Sequence, residues 1–373
     1  MQPALGHRAA ADSWGKFILQ DPLKSNLATR PANAIGALRL LFASLVIVAH
    51  SPQMLDGDKG RELLYRLTGT MSLGTVAVDA FFLISGYLIA ASFTASSSLW
   101  SYAVKRVLRI GPAFVVCCLI CIFIVAPLGG AHLTELGLRD WAKTVFNLIT
   151  LKAPEVRGAF VGLPYPALNG SAWTISYEFR CYILAAVFGL MGLYRHRNIF
   201  LAITAGILAS NLVFFTPVGA PLLRSPGWFD AAFGEPQQAL RLLSAFVVGT
   251  TFWLYSDRIV YRGVVALICA IAACGLLFIP ALAEIGMIIF GGYVLFTVAF
   301  KATWRPLQVI NSREDISYGV YLYAWPVAAL LIWYWRDVPI VVLGTLTFLA
   351  ALVCGAVSWF VVEKPAMRVK SHA

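Results

Sequence analysis

Apolar residues in this chain are gathered into long runs separated by polar segments. The runs fall near 34–50, 71–93, 107–128, 173–193, 198–218, 238–256, 260–280, 282–300, 316–335 and 338–362. Most come close to the roughly 17 to 25 residues that a helix needs to cross a hydrocarbon core. The pattern predicts an all-α fold, a polytopic membrane helix bundle of about ten transmembrane helices, the first and the eighth being the shortest. An even number of spans returns the chain to the side on which it started, so both termini are expected on one face. Residues 1–33 and 364–373 then read as tails flanking a single transmembrane domain, 34–363. The connection 129–172 departs from the short links elsewhere. It holds the apolar-aromatic piece Trp141 to Leu151 and the Pro-rich GLPYPALNG, and a loop of that length is expected to be a lid or a re-entrant element over a site.

Composition agrees and adds an orientation. With 60% hydrophobic and 13% charged residues, and a mean hydropathy of +0.77, the chain lacks the charge that a soluble surface requires. Residues 1–33 carry Arg8, Lys16, Lys24 and Arg30 but no apolar segment ahead of a cleavage site, which fits a cytoplasmic tail and not a secretory signal. Placing both termini in the cytoplasm puts Lys105, Arg106, Arg195, Arg197, Arg258, Arg262, Lys301, Arg305, Arg313, Lys364, Arg368 and Lys370 there as well. That is the positive-inside rule, and it accounts for the basic balance without nucleic acid. All seven cysteines lie in apolar runs; they read as small buried side chains, and no Cys/His spacing suggests a metal.

The few charges inside the runs carry the chemistry. Arg39 and His50 share the first run, although an ionisable side chain in a bilayer costs roughly 3 kcal/mol or more. Eleven residues apart, they lie about 20° from each other around a helix and roughly 16 Å along it. One helix face thus offers an anion-binding cation at one end and proton chemistry at the other. In KRVLRIGP, Arg106 and Arg109 sit one turn apart on one face. Alone they would serve as membrane anchors. With Arg39 at the same depth, they suggest a site for a cytosolic, multiply charged ligand such as a nucleotide or coenzyme A, because paired guanidiniums form a phosphate fork.

His50 closes its helix on the outer side, ahead of Ser51-Pro52. The fourth run enters from that side as SAWTISYEFR, so Glu178 is expected near the level of His50, where a carboxylate beside an imidazole is the minimum apparatus for general base catalysis. A local pair with Arg180 is the alternative. Asp79, in AVDAFFLISGYLI, must pair or face a water-filled cavity. Arg39, Arg180 and backbone groups are its candidate partners, and a substrate-binding role stands beside a structural salt bridge. Glu284, near a helix start, is given no role; Glu363 is expected to anchor the end of the last span. Tyr318, Tyr321 and Tyr323 occupy the cytoplasmic half of the ninth run, where they line a polar tunnel or form an aromatic belt.

These pieces occur together in a known order. R-x10-H (Arg39, His50), VDAFFLISGYLI (Asp79, Ser85, Gly86), R-x-x-R (Arg106, Arg109), SAWTISYEFRCY (Trp173, Glu178), SYGVYLYAWP and the terminal EKP run from the first span to the last. In this the chain resembles the acyltransferase 3 family, multi-pass enzymes that modify bacterial cell-surface carbohydrates. The resemblance implies an O-acyltransferase, by family default an O-acetyltransferase, in the bacterial inner membrane. Its donor would be acetyl-CoA or another acyl-CoA on the cytoplasmic side. Its acceptor would be a hydroxyl of a polysaccharide or lipid-linked oligosaccharide near the outer face, in contact with membrane lipid. His50 looks like the catalytic base or acyl carrier, with Glu178 beside it, and Arg39, Arg106 and Arg109 look like donor-site arginines.

Tyr318 and Tyr321 are further donor-site candidates. Asp79, Trp141, Tyr165, Asn169 and Trp173 are candidates for the carbohydrate, because sugars stack on aromatic faces. Two departures from relatives stand out. Ala324-Trp325-Pro326 replaces the histidine that some carry before this proline, and no SGNH-type hydrolase domain is appended. The rival reading is a proton-coupled transporter or flippase of a polysaccharide precursor, against which stands the lack of internal duplication and of matching broken helices. The acyl group, the glycan and the oligomeric state are left open by the sequence.

Overall fold

The computed structural model describes residues 33–216 and 234–369. The tail expected at residues 1–33 lies outside them except for Asn33, whereas residues 364–369 of the tail expected at 364–373 are described and continue the last helix. Among the described residues every regular element is helical. In chain order the main ones are α1 (Ile35–Asp56), α2 (Leu73–Thr94), α3 (Leu99–Leu128), α4 (Leu138–Ile149) and α5 (Trp173–Leu190). They continue with α6 (Arg197–Phe215), α7 (Pro236–Leu254), α8 (Gly263–Leu276), α9 (Pro280–Lys301), α10 (Ser317–Tyr334) and α11 (Ile340–Arg368). Every apolar run contains one helix. Six of these, α1, α2, α3, α6, α9 and α11, are long and apolar enough by themselves to cross a membrane. Of the remainder, α8 is short, and α5 and α7 carry the interior charges Glu178 and Arg241. Where the chain re-enters the bundle, Ser72 and Ser98 cap α2 and α3 by accepting from the N–H groups of Thr75 and Ser101, as serine does at an N-cap.

The long loop is not wholly irregular. In α4, Leu138, Val145, Phe146 and Ile149 are exposed while Thr144 and Asn147 are buried. An apolar face turned outward and a polar face turned inward suit a helix lying at a membrane surface. The cysteines divide: Cys117, Cys118, Cys121 and Cys181 are buried as expected, whereas Cys274 is exposed and Cys269 and Cys354 are partly so.

Small residues set the closest helix contacts. The most extensive of them joins α2 to α7. A Cβ on Gly86 would stand 1.9 Å from the carbonyl oxygen of Phe246, and one on Gly249 would stand 2.0 Å from that of Leu83. The two backbones touch because neither glycine has a side chain, which is how helices associate when no hydrophobic gain is available between them. Thr250 Oγ1 adds a hydrogen bond of 3.1 Å to the Gly86 carbonyl. Gly86→Ala must therefore force the helices apart. The expected cost is about 1–3 kcal/mol, seen as a lower unfolding midpoint in detergent; an unchanged midpoint would sink the close-packing argument. A second such contact joins Gly319 of α10 to Gly355 of α11. Helix α1 packs against α2, α10 and α11, and its Arg39 and His50 line two separate cavities.

Candidate active site

At the end of the bundle where α1, α3 and α10 begin and α2 and α11 finish lies a cavity of about 290 Å³. It is lined by Arg39, Arg106, Arg109, Tyr318, Tyr321 and Glu178, together with Lys105, Tyr182, Ser92 and an apolar wall that includes Phe81, Phe82 and Ile175. The arginines expected to share one depth do share one cavity.

They are not equivalent, however. Arg39 and Arg109 both donate to Asp315 Oδ2, Arg109 at 2.6 Å, and Arg109 also reaches Glu363 Oε2 at 3.3 Å. The other oxygen of Asp315 accepts from Asn311 Nδ2 at 2.9 Å and from Ser317 Oγ at 2.5 Å. Asp315 lies in the loop ahead of α10. Burial there opposes its charge, yet Arg39, Arg109 and the two hydrogen bonds outweigh burial and hold the carboxyl down to about 2. The loop is fixed by Asn311 itself, which sits in the left-handed region (φ 55°), accepts from the Ile316 N–H at 2.7 Å and donates to the Gly36 carbonyl at 2.9 Å. Glu363, expected only to anchor the last helix, is buried against Arg109 and accepts from Ser358 Oγ at 3.1 Å.

Arg106 is different. It makes a long contact of 3.4 Å to Ser92 Oγ and lies over the rings of Tyr102 and Tyr182. Its Nε is buried without a hydrogen-bond partner among the described residues. An orphaned buried donor of this kind costs about 1–3 kcal/mol, which an anionic ligand would recover. Lys105 beside it donates to Ser96 Oγ at 3.1 Å.

His50 sits toward the other end of α1, in a pocket of about 10 Å³ lined by Ser51, Ser171, Trp325, Ala328 and Thr347 among others. Its Nδ1 is 3.4 Å from Gln53 Oε1, and its ring meets Trp325 edge-to-face with centroids 5.2 Å apart. Glu178 is not there. Its Oε1 accepts from the Tyr182 hydroxyl at 2.5 Å within the arginine cavity, because residues 178 and 182 lie one turn apart on the face of α5 that looks into that cavity. The side chain positioned to orient the imidazole is the Gln53 amide, one turn further along α1.

A third cavity, of about 610 Å³, lies under the long loop between α4 and residues 153–173. Tyr165, Asn169 and Trp173 line it beside Asp140, Lys143, Glu155 and Arg157. Asn169 has a prior commitment. Pro326 has no N–H, so the Leu322 carbonyl loses its intrahelical partner, and Asn169 Nδ2 supplies one at 2.8 Å. Trp141 is absent from the cavity lining; its ring stacks on Phe123 of α3 with centroids 6.1 Å apart.

Asp79 corrects a second expectation. Its partner is neither Arg39 nor Arg180 but Arg241 of α7, at 2.9 Å, with the two residues 2% and 6% exposed. Asp79 lines none of the three cavities, because the carboxylate points into the tight α2–α7 contact. Arg180 lies over the ring of Tyr177. Asp315, Gln53 and Arg241 had not been singled out as site residues. Asp315 is masked in sequence by the polar run NSREDIS, which reads as a solvated loop, whereas Gln53 was detectable as the residue one turn from His50.

A family model for an acyltransferase domain matches residues 33–362. Over 342 residues the chain is 29% identical to a protein of Shigella phage Sf6 named O-acetyl transferase, an alignment covering 89% of this chain and 95% of that one. Over 381 residues it is 26% identical to Nodulation protein 10 of Rhizobium leguminosarum bv. viciae, covering 91% and 94%. No solved structure matches.

Proposed function

Since the chain belongs to the acyltransferase 3 family, we propose that it is a membrane O-acyltransferase that carries an acetyl group from cytosolic acetyl-CoA to a carbohydrate hydroxyl. The observation that carries this reading is the arginine cavity, with a buried Arg106 donor that has no partner among the described residues, at the basic end of the bundle. A phosphate of coenzyme A would satisfy Arg106, with Lys105 close by. Arg39 and Arg109, already held by Asp315 and Glu363, would offer their remaining N–H groups from fixed positions. The basic end is the cytoplasmic one in this reading, which places the enzyme in the inner membrane with both termini inside.

The apolar wall of the cavity suits the pantetheine arm, and the rise from Arg39 to His50, roughly 16 Å along the helix, is the distance that arm must cover. The loop cavity, with Tyr165 and Trp173 beside two ion pairs, Lys143–Glu155 and Arg157–Asp140, would receive the carbohydrate. A neutral His50 that donates from Nδ1 to Gln53 keeps the Nε2 lone pair free. That lone pair takes the proton of the acceptor hydroxyl, the oxygen attacks the thioester carbonyl, the C–S bond breaks, and the imidazolium returns the proton to the departing sulfur. Acylation of His50 followed by transfer would use the same geometry.

The direct test is release of the CoA thiol from acetyl-CoA by the purified protein, with and without a mixed surface-glycan extract. Glycan-dependent release is expected. In Arg106→Gln the KM for acetyl-CoA is expected to rise about 10- to 100-fold, as for the loss of a charged hydrogen bond; an unchanged KM would remove the donor from this cavity. A protein that consumes no donor but moves glycan in a pH-coupled manner would be a transporter.

A further inference from the structure

His50 lines a small pocket that shares no lining residue with either of the two larger cavities. Its own pocket of about 10 Å³ has room for about one water molecule, far too little for a thioester and a sugar hydroxyl. The walls on both sides come from one short segment, residues 167–171, tied to α10. On the arginine side the Tyr321 hydroxyl donates to the Ser171 carbonyl at 2.8 Å and accepts from Thr174 Oγ1 at 2.8 Å. Tyr321 and Thr174 line the arginine cavity, while Ser171 lines the pocket of His50. A single layer of side chains therefore separates the two. On the loop side, one turn along α10, Trp325 Nε1 donates to the Ala167 carbonyl at 2.9 Å. Trp325 lines the His50 pocket and Ala167 the loop cavity. Asn169 ties the middle of the segment to Leu322.

We infer that Tyr321 is a positioning residue that keeps the donor thioester from His50 until the 167–171 segment shifts, so that donor and acceptor meet the imidazole together. The inference rests on the acyltransferase reading above. Its chemical meaning is the exclusion of water. In transfer, the acceptor oxygen gains the acyl group and its proton passes through His50 to the sulfur. In the side reaction, a water oxygen takes the acyl group, one water proton goes by the same route to the sulfur, and the products are free acetate and CoA thiol. A wall that yields only when the acceptor occupies the loop cavity suppresses the second outcome. Trp325 is placed to transmit that occupancy, since Tyr165 of the loop cavity packs edge-to-face on its ring with centroids 6.4 Å apart.

The experiment is the ratio of free acetate to acetylated glycan formed from acetyl-CoA by wild type, Tyr321→Phe and Thr174→Val. Tyr321→Phe keeps the ring and loses both hydrogen bonds; Thr174→Val loses one and leaves the tyrosine in place. Both are expected to raise the ratio, Tyr321→Phe by about fivefold or more, the equivalent of one ordinary hydrogen bond. A role in folding alone would lower both products together and leave the ratio where it was. An unchanged ratio in either variant that folds, beside an active wild type, overturns the inference. A wild type that forms neither product overturns the acyltransferase reading itself, and the two failures are told apart by wild-type activity.

Discussion

His50→Ala is expected to lower glycan-dependent acyl transfer by about 10²- to 10⁴-fold, the range that general base catalysis supplies. The KM for acetyl-CoA should change little, because the arginine cavity lies near the opposite end of α1 and shares no lining residue with the His50 pocket. The structure also ranks the neighbours. Gln53→Ala removes the group facing Nδ1 and should cost kcat far less, since the imidazole remains and only its orientation is loosened. Glu178→Gln alters a residue of the arginine cavity and should move the KM for the donor more than it moves kcat. If His50→Ala retained more than a tenth of wild-type transfer, the base would have to be sought elsewhere; if Glu178→Gln matched His50→Ala in kcat, the two would act together despite their separation.

The largest effect on stability is expected from Asp79→Ala. Asp79 and Arg241 are buried against each other in the tightest helix contact of the bundle, so removing the carboxylate takes the ion-pair partner from a buried guanidinium. That costs about 3–5 kcal/mol. The expected result is a sharp loss of monodisperse protein in detergent and a lowered unfolding midpoint for what remains. Replacing both partners, Asp79→Leu with Arg241→Met, should recover much of the loss, because a well-packed apolar pair removes the desolvation penalty along with the attraction. A stable Asp79→Ala protein whose only defect is a raised KM for the glycan would contradict this and restore Asp79 to substrate binding.

Glu178 and Asp79 depart from their expected neighbours for one physical reason. Glu178 was expected at the level of His50 and instead lines the arginine cavity near the opposite end of α1, and Asp79 was expected to pair with Arg39, Arg180 or backbone groups, a set that omitted Arg241. In both cases the distance of the residue from its helix end was readable, while the direction of its side chain was not. Direction changes by about 100° per residue along a helix, so a small rotation of one helix exchanges one neighbour for another. Arg106 and Arg109 illustrate the same point within one element. One turn apart on one face, they read as equivalent, yet Arg109 is held by Asp315 and Glu363 while the buried Arg106 Nε has no hydrogen-bond partner among the described residues.

What the sequence determined by itself was therefore whatever depends on a single segment and its solvent. A run of some twenty apolar residues must satisfy its backbone internally if it is to lie in lipid, which makes every run a helix whatever its neighbours do. The spacing of Arg39 and His50 along one such helix places a guanidinium and an imidazole at two levels without reference to the rest of the chain. Tertiary structure decided the pairing of groups far apart in the chain. Asp315 lies 206 residues from Arg109 and 276 from Arg39, and Arg241 lies 162 from Asp79. Their meeting depends on how each helix is rotated in the bundle, and glycine contacts such as Gly86 with Phe246 and Gly319 with Gly355 set that rotation by fixing which faces can approach. Position along a helix is a local property of the chain, and the neighbours that a side chain meets are a property of the packing.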